Sequence, residues 1–596
     1  MKKKSAFGYV TLTAALSILL VACGGKSTSN NTDSSTAKSV SFSTAYKSSK
    51  AAIKGGTLNV AVVTDSPIKG IWSEQYYDDQ TDADFMSPAA ESLFSTDGSF
   101  KFTKDGAATI TFDNDAKTAT VKIKDNVKWS DGEPVTAQDY LFAYEQVANK
   151  DSETQRYTGA LQNLEGLTEY HDGKSDSISG FEMPDGPDGK TAVLHFKEMK
   201  PSFTQSGNGY FLESAAPYHY LKDVPFKDMA ASDKILKTPL FFGPFVMSKI
   251  VAGQSVEYTP NKYYYKGVPK LDKVTAEVVS SSSIAAALKN HKYDLALEMP
   301  TATYDNWKKI SGYTNLGKEE LSYTYLAFKV GKFDNDKSVN VLDKNAKMNN
   351  KSLRQAMAYA LNNDDINAKF YPGGLRTTAT TLIPPIFGEF HSDAKGYTLN
   401  IKKANSLLDK AGYKKGKDGY RTDPDGKKLT INFASMAGSD AAEAIAQDYI
   451  QQWKKIGLRV KLTSGRLLDY NNFYDKVEKD SKDIDVFQAA WGLSSEPSPA
   501  DLYSEEAPYN MARFVTAENT KLLNDIDSQA SLNTAHRVKA FKAWQDYMLD
   551  EAYVVPLQYR MAVTPVNNRV KNFNIAYGSD GTQWQDIQVT SASRAK

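Results

Sequence analysis

One thiol, six scattered histidines and 71 carboxylates are the groups in this 596-residue chain with the means to do chemistry, and their spacing supports little of it. No His-Glu-x-x-His run sets two imidazoles on one helical face for a metal. His171, His195, His219, His291, His391 and His536 stand apart among polar residues, the pattern of surface or capping histidines rather than ligands. A Gly-x-Ser-x-Gly elbow that would expose a serine nucleophile is absent. Gly25-Lys26-Ser27 has the tail of a phosphate-cradling loop, but Leu20 stands where its first glycine belongs. Asp423-Pro424-Asp425-Gly426 opens like a calcium loop, lacks the later ligands and reads as a turn between strands. With 71 acids a glycosidase-like carboxylate pair could assemble in three dimensions, yet nothing in the sequence selects one. The absence of these motifs leans against an enzyme, and no catalytic residue and no metal site is expected.

Lys+Arg of 72 against Asp+Glu of 71 leaves a net charge of +1, which gives no electrostatic case for a nucleic-acid partner. The 34 tyrosines and 7 tryptophans fit either a tyrosine-rich core or a large pocket lined by amphipathic rings. Lys2, Lys3 and Lys4 precede an apolar run from Phe7 to Ala22, too short to span a bilayer and apt for a secretory signal over residues 1–22. Cys23, the sole cysteine, rules out an intramolecular disulfide. Its setting, Leu20-Val21-Ala22-Cys23-Gly24-Gly25, resembles the lipobox of bacterial lipoproteins. That resemblance implies a diacylglyceryl group on Cys23, cleavage just before it and membrane anchoring through the lipid, with no other cofactor. Residues 23–54 are rich in Ser, Thr, Asn and Lys, and are expected to act as a flexible tether.

A chain this long needs more than one core, so two or more lobes are expected. Thr57 to Val63 reads as a buried strand behind Gly55-Gly56, and Ala107 to Thr111 pairs with Thr118 to Ile123 across Asp113-Asn114-Asp115. Thr136 is placed to cap a helix through Ala148. Ser255 to Thr259, Lys273 to Val279, Leu429 to Ala434 and Arg459 to Leu462 read as strands. Ser283 to Asn290, Ser352 to Leu361, Ile401 to Ala411, Ala441 to Ile456 and Thr534 to Asp550 read as helices. Strands and helices mixed throughout argue for α/β lobes.

Val127-Lys128-Trp129-Ser130-Asp131-Gly132-Glu133-Pro134-Val135-Thr136-Ala137-Gln138-Asp139-Tyr140 resembles the signature of the peptide/nickel-type solute-binding proteins of ABC importers. Other blocks follow in that family's order: Gly55-Gly56-Thr57-Leu58, Gly243-Pro244-Phe245, Asn261 to Tyr264, Leu353-Arg354-Gln355-Ala356, Ala404 to Tyr413, Trp491 and Tyr553 to Leu557. The resemblance implies an α/β, two-lobed periplasmic-binding-protein-like clamp with a third subdomain, mixed sheets flanked by helices and a hinge between the lobes. It divides the chain into lobe I (55–90, 206–322 and 556–596), a family-specific subdomain (91–205) and lobe II (323–555). Peptide would lie extended in the cleft, its backbone paired with protein backbone and its side chains in roomy pockets. The implied partners are oligopeptides and the permease and ATPase subunits of an importer, with the receptor itself a monomer.

The same resemblance carries site residues over unevenly. Backbone at Gly492 and Leu493 is expected to pair with peptide, with Trp491 as a wall. Family members place an aspartate three residues after this tryptophan to meet the peptide ammonium; here that position is Ser494, with Glu496 the nearest acid. Either Glu496 takes over or the terminus is unclamped, and the second is preferred, since serine cannot make a charge-assisted pair. Tyr323 and Tyr325 at the crossover, Asn510 and Trp72 are further lining candidates, each of which could equally be packing. A dipeptide, nickel complex, haem or signalling peptide would be other ligands within the family, and an extracellular hydrolase or chaperone-like protein is the competing class.

Overall fold

The computed structural model describes residues 41–337, 339–438 and 441–596. The expected signal, Cys23 and most of the tether lie outside these residues. The tether was expected to run to residue 54, yet residues 41–54 lie against the folded body. Ala45–Tyr46 pairs antiparallel with Phe573–Asn574. The Ser43 carbonyl accepts the Gly317 N–H at 3.1 Å. The Phe42 ring rests on Gly317, where a Cβ would come within 2.5 Å of it. Phe42 and Tyr46 supply local apolar contact that a segment-wide composition averages away.

Among the described residues a single mixed sheet runs through both lobes. On the lobe I side Leu295–Leu297, Thr57–Val63 and Lys273–Val279 run parallel, continuing through Ser255–Pro260 to Phe245–Val251. On the lobe II side Val460–Leu462, Ile431–Ala434 and Val486–Gly492 line up in that order. Two long strands, Tyr313–Phe328 and Val554–Asn567, belong to both halves and pair antiparallel. Their ladder is regular from Tyr313 to Glu319, breaks, and resumes at Tyr323 opposite Tyr559. A break in pairing is where a sheet bends most cheaply, so residues 320–322 are where the expected hinge best fits.

The apolar clusters follow the same division. Lobe II has its own core, from Tyr323 and Leu326 to Leu557 and Tyr559. Lobe I is built on Leu58, Val60, Val274 and Val566. The third cluster packs the four-stranded sheet of Ala108–Asp113, Thr118–Ile123, Thr191–His195 and Phe181–Glu182 against the helix Ala137–Ala148. Phe211, Ala215 and Phe242 join it, so the subdomain core reaches past the boundary expected at 205.

The sequence blocks quoted above are knots of this fold. Thr136 and Asp139 form a capping box, each side chain bonded to the other's backbone N–H. The Asp139 carboxylate also accepts the Trp129 indole at 3.1 Å and the Tyr218 N–H at 2.8 Å, tying helix, turn and lobe I together. Asn261 donates to the Gly243 carbonyl at 2.8 Å, joining two blocks, and a Cβ on Gly243 would lie 2.3 Å from the Ala89 carbonyl. Arg354 is fully buried, donates to the carbonyls of Met348, Asn349 and Glu551, and stacks on Tyr553 at 3.9 Å. Two more blocks thereby meet, and buried donors that cannot reach water are satisfied.

Candidate functional site: the cleft between the lobes

The strand Val486–Gly492 borders the cleft. One edge pairs with the crossover strand from Val486 to Gly492. The other edge pairs with Ile431–Ala434 only at Val486 and Phe487, because residues 435–437 turn away to bond with Leu468. From Gln488 onward that edge has no strand beside it among the described residues. The Leu493 N–H reaches the Leu321 carbonyl at 2.7 Å, so residue 493 belongs to a hydrogen-bonded pair. Alternation then turns the N–H and C=O of Gly492 to the open edge. A Cβ on Gly492 would meet nothing within 4 Å. Gly492 therefore presents backbone to the cleft, whereas the amide of Leu493, expected to share that role, is committed to the hinge strand.

Aromatic side chains form the wall beside this edge. Trp491 is half-buried, stacks on Tyr325 at 6.0 Å and meets Tyr509 edge-on at 5.6 Å. Tyr323 is buried and shares a 2.6 Å hydroxyl hydrogen bond with Tyr503. Next to Gly492 and Leu493 lies a cavity of about 160 Å³ that Tyr323, Leu382, Ile383 and Tyr210 also line.

Two wider cavities continue from there and share Gln80. The larger, about 890 Å³, is bounded by Glu74, Tyr77, Arg156 and Glu213 and faces Ser494 and Tyr509. The second, about 490 Å³, lies along the hinge and holds Asp84, Glu298, Lys318, Glu320, Arg376 and Arg560. Burial, reinforced by the Arg560 guanidinium opposite it in the ladder, lowers Arg376 to about 10. Burial is also the main cause that pushes the Asp84 carboxyl up to about 7, with the Glu298 carboxylate adding to it.

For Asp84 the folded-state value lies above the ordinary 3.8, so the folded protein holds a proton that the unfolded chain releases. The Asp84 contribution to stability therefore falls as pH rises from about 4 to about 7. Asp84→Asn removes the carboxylate that must be ionised in the cleft. Its melting temperature is expected to exceed the wild type's at pH 8, with the gap closing towards pH 5; a constant gap would refute the assignment.

Of the candidates read from sequence, Trp491, Gly492, Leu493, Ser494 and Tyr323 come together at the cleft, while Tyr325 is buried in the lobe II core and backs Trp491 from behind. Three others need correction. The Glu496 carboxylate is 7% exposed and held by Arg537 at 2.7 Å and the Ser498 N–H at 2.8 Å, so it is not offered to a peptide ammonium. Asn510 is fully buried, and its amide bonds to the carbonyls of Ser504 and Phe514, bracing the loop from which its neighbour Tyr509 reaches the cleft. Trp72 lies in the lobe I core against Phe85, with its indole N–H on the Leu236 carbonyl. Lys318-Glu319-Glu320 was the available signal for the hinge cavity: three charges inside one long strand need water on at least one face. Nothing local marks Arg376, Asp84 or Glu74.

The profile of the bacterial extracellular solute-binding proteins, family 5 Middle, matches residues 101–512. The oligopeptide-binding protein OppA of Lactococcus lactis subsp. cremoris strain SK11 is 44% identical over 597 residues, covering 98% of this chain and 99% of the relative. The oligopeptide-binding protein AppA of Bacillus subtilis strain 168 is 26% identical, with 88% of each chain covered. Lactococcal OppA, complexed with an endogenous peptide in the closed conformation, superposes with a TM-score of 0.81, covering 90% of this chain and all of the other.

Proposed function

Since this chain belongs to the bacterial extracellular solute-binding proteins of family 5, we propose that it is an oligopeptide receptor that holds extended peptides in the cleft and delivers them to an ABC importer. The observation that carries this reading is the unpaired strand edge at Gly492, beside a cavity of about 160 Å³ that adjoins one of about 890 Å³ through Gly207 and Ser494. Backbone pairing at an edge recognises what every peptide shares, while side chains enter cavities too wide to select one sequence. The relatives are binding proteins, not enzymes, and nothing in the cleft chemistry calls for bond cleavage. Anchoring through a diacylglyceryl thioether on Cys23 belongs to the proposal, as do the extracytoplasmic side of the membrane, the monomeric state and the permease and ATPase partners. Among the described residues no helix is long and apolar enough to cross a membrane.

Ser494 donates its hydroxyl to the Gly207 carbonyl, and Glu496 is committed to Arg537, so neither offers a counter-charge to a peptide amine. The test is native mass spectrometry of the mature protein purified from peptide-rich medium. A heterogeneous ladder of bound masses, released uncleaved, is expected; one unique non-peptide mass or cleaved products would sink the reading. For peptides recovered from that ladder, N-terminal acetylation is expected to change Kd less than about 3-fold, since only a neutral contact would be lost. A loss above 30-fold would mean that a charged clamp exists elsewhere.

A further inference from the structure

The turn Thr96–Phe102 and the segment after Pro201–Thr204 lean on each other and together touch lobe II. Phe102 N–H reaches the Thr204 carbonyl, and Ser206 N–H reaches the Phe100 carbonyl at 2.9 Å. Phe100 sits at φ +64°, a region that a β-carbon disfavours, and the Asp97 carboxylate holds it there through the N–H groups of Ser99 and Lys101. Its ring is 5% exposed. It joins the lobe II core and lies 6.3 Å from Phe387, with Tyr577 of lobe I 5.2 Å away on its flank.

Beside it residues 205–207 meet the loop after Gly492. The Gln205 side-chain amide donates to the Ser495 carbonyl at 2.8 Å, Ser495 Oγ to the Ser206 carbonyl at 2.8 Å, and Ser494 Oγ to the Gly207 carbonyl at 2.5 Å. Gly207 has φ +76°, and a Cβ there would lie 2.4 Å from Ser494 Oγ. The Glu213 carboxylate keeps this tip rigid by accepting Ser206 Oγ and Gly207 N–H.

We propose that these two contacts, the Phe100 plug and the Gln205–Gly207 clasp on Ser494–Ser495, are a closure device that holds the lobes together independently of the peptide's sequence. Ser494 then does different work from the acid at the matching family position: it fastens one lobe to the other. A strained backbone retained to seat an aromatic ring in the opposite lobe is what such a device requires. Apparent affinity scales with the closed fraction, so loosening the device slows nothing on entry and speeds release. The ligand side of this inference rests on the peptide-receptor reading; the closure side does not.

The experiment uses the mature chain as wild type, Phe100→Ala, Phe100→Leu and the double variant Ser494→Ala/Ser495→Ala. Small-angle scattering is recorded without ligand and with a synthetic nonapeptide of mixed sequence, and stopped-flow release of that peptide is timed. Phe100→Ala and the serine double variant are expected to scatter as more open particles and to release peptide at least about 10-fold faster, with association within about 3-fold and Phe100→Leu between them. Unchanged scattering and unchanged release in the variants would overturn the device. If Phe100→Ala fails to fold, the serine variant decides alone, since its hydroxyls lie at the surface of the contact. A wild type that binds no peptide overturns the receptor reading, and scattering of the unliganded variants still judges the clasp.

Discussion

Gly492→Pro is expected to weaken peptide binding by about 10- to 100-fold while leaving the melting temperature within about 2 °C of wild type. Proline removes an N–H and adds a ring, and its effect depends on where that N–H points. In the strand Val486–Gly492 the Leu493 amide bonds to Leu321, so the Gly492 amide faces the open edge and the sheet loses no ladder bond. What is lost is a backbone bond to peptide, and what is added is bulk where the peptide backbone would approach. One lost bond of about 1 kcal/mol accounts for most of a tenfold loss, and steric exclusion accounts for the remainder. Gly492→Ala, whose Cβ would enter open space, is expected to bind within about 3-fold of wild type. Calorimetric titration separates the two. Equal effects of Pro and Ala would mean that the peptide does not pair here.

The largest loss of stability is expected from Arg537→Met, about 3–5 kcal/mol measured by denaturant unfolding. Arg537 lies 4% exposed between Phe390 and Phe541, donating to Glu496 at 2.7 Å and Asp527 at 3.3 Å. Methionine fills much of the volume but leaves two carboxylates facing each other in a dry site. Burial and the neighbouring Asp527 already raise the Glu496 carboxyl, and Arg537 is what opposes them. Without the guanidinium the folded state takes up a proton there, so the deficit should shrink below about pH 5. Adding Glu496→Gln to Arg537→Met is expected to restore part of the loss, because one of the stranded charges is gone. If Arg537→Met cost less than 1 kcal/mol, the network would not be what holds the loop behind Gly492 in place.

The two substitutions act on neighbouring features with different consequences. Gly492 is the proposed ligand contact and its substitution leaves the fold alone, whereas Arg537 supports the loop from beneath. The loop between them carries Ser494 and Ser495, which fasten it to lobe I. A position that family resemblance marks for the ligand's charge is thus occupied by a side chain that bonds across the lobes.

Much of this protein was legible in its residues alone. The Thr136–Asp139 capping box, the glycine-led strand Thr57–Val63, the helix Thr534–Glu551 and the tyrosine turn after Asn261 all rest on chemistry within a few residues of one another. Local hydrogen bonding, φ preference and period decide such features, so they can be read in order along the chain. The blocks that carried the family resemblance are legible for another reason: Trp129 with Asp139, Asn261 with Gly243 and Arg354 with Tyr553 are buried partners, separated in sequence, that leave little choice of residue. Tertiary structure alone decided the site. Trp72, Asn510 and Glu496 have residue types suited to a cleft and are buried braces, while Glu74, Asp84, Arg376 and Tyr509 reach the cleft from three distant segments with no local mark. A buried knot constrains its own neighbours in sequence. A wet cleft asks of each residue only that it tolerate water, as any surface position does, and its shape exists only once the crossover strands have brought the two lobes face to face.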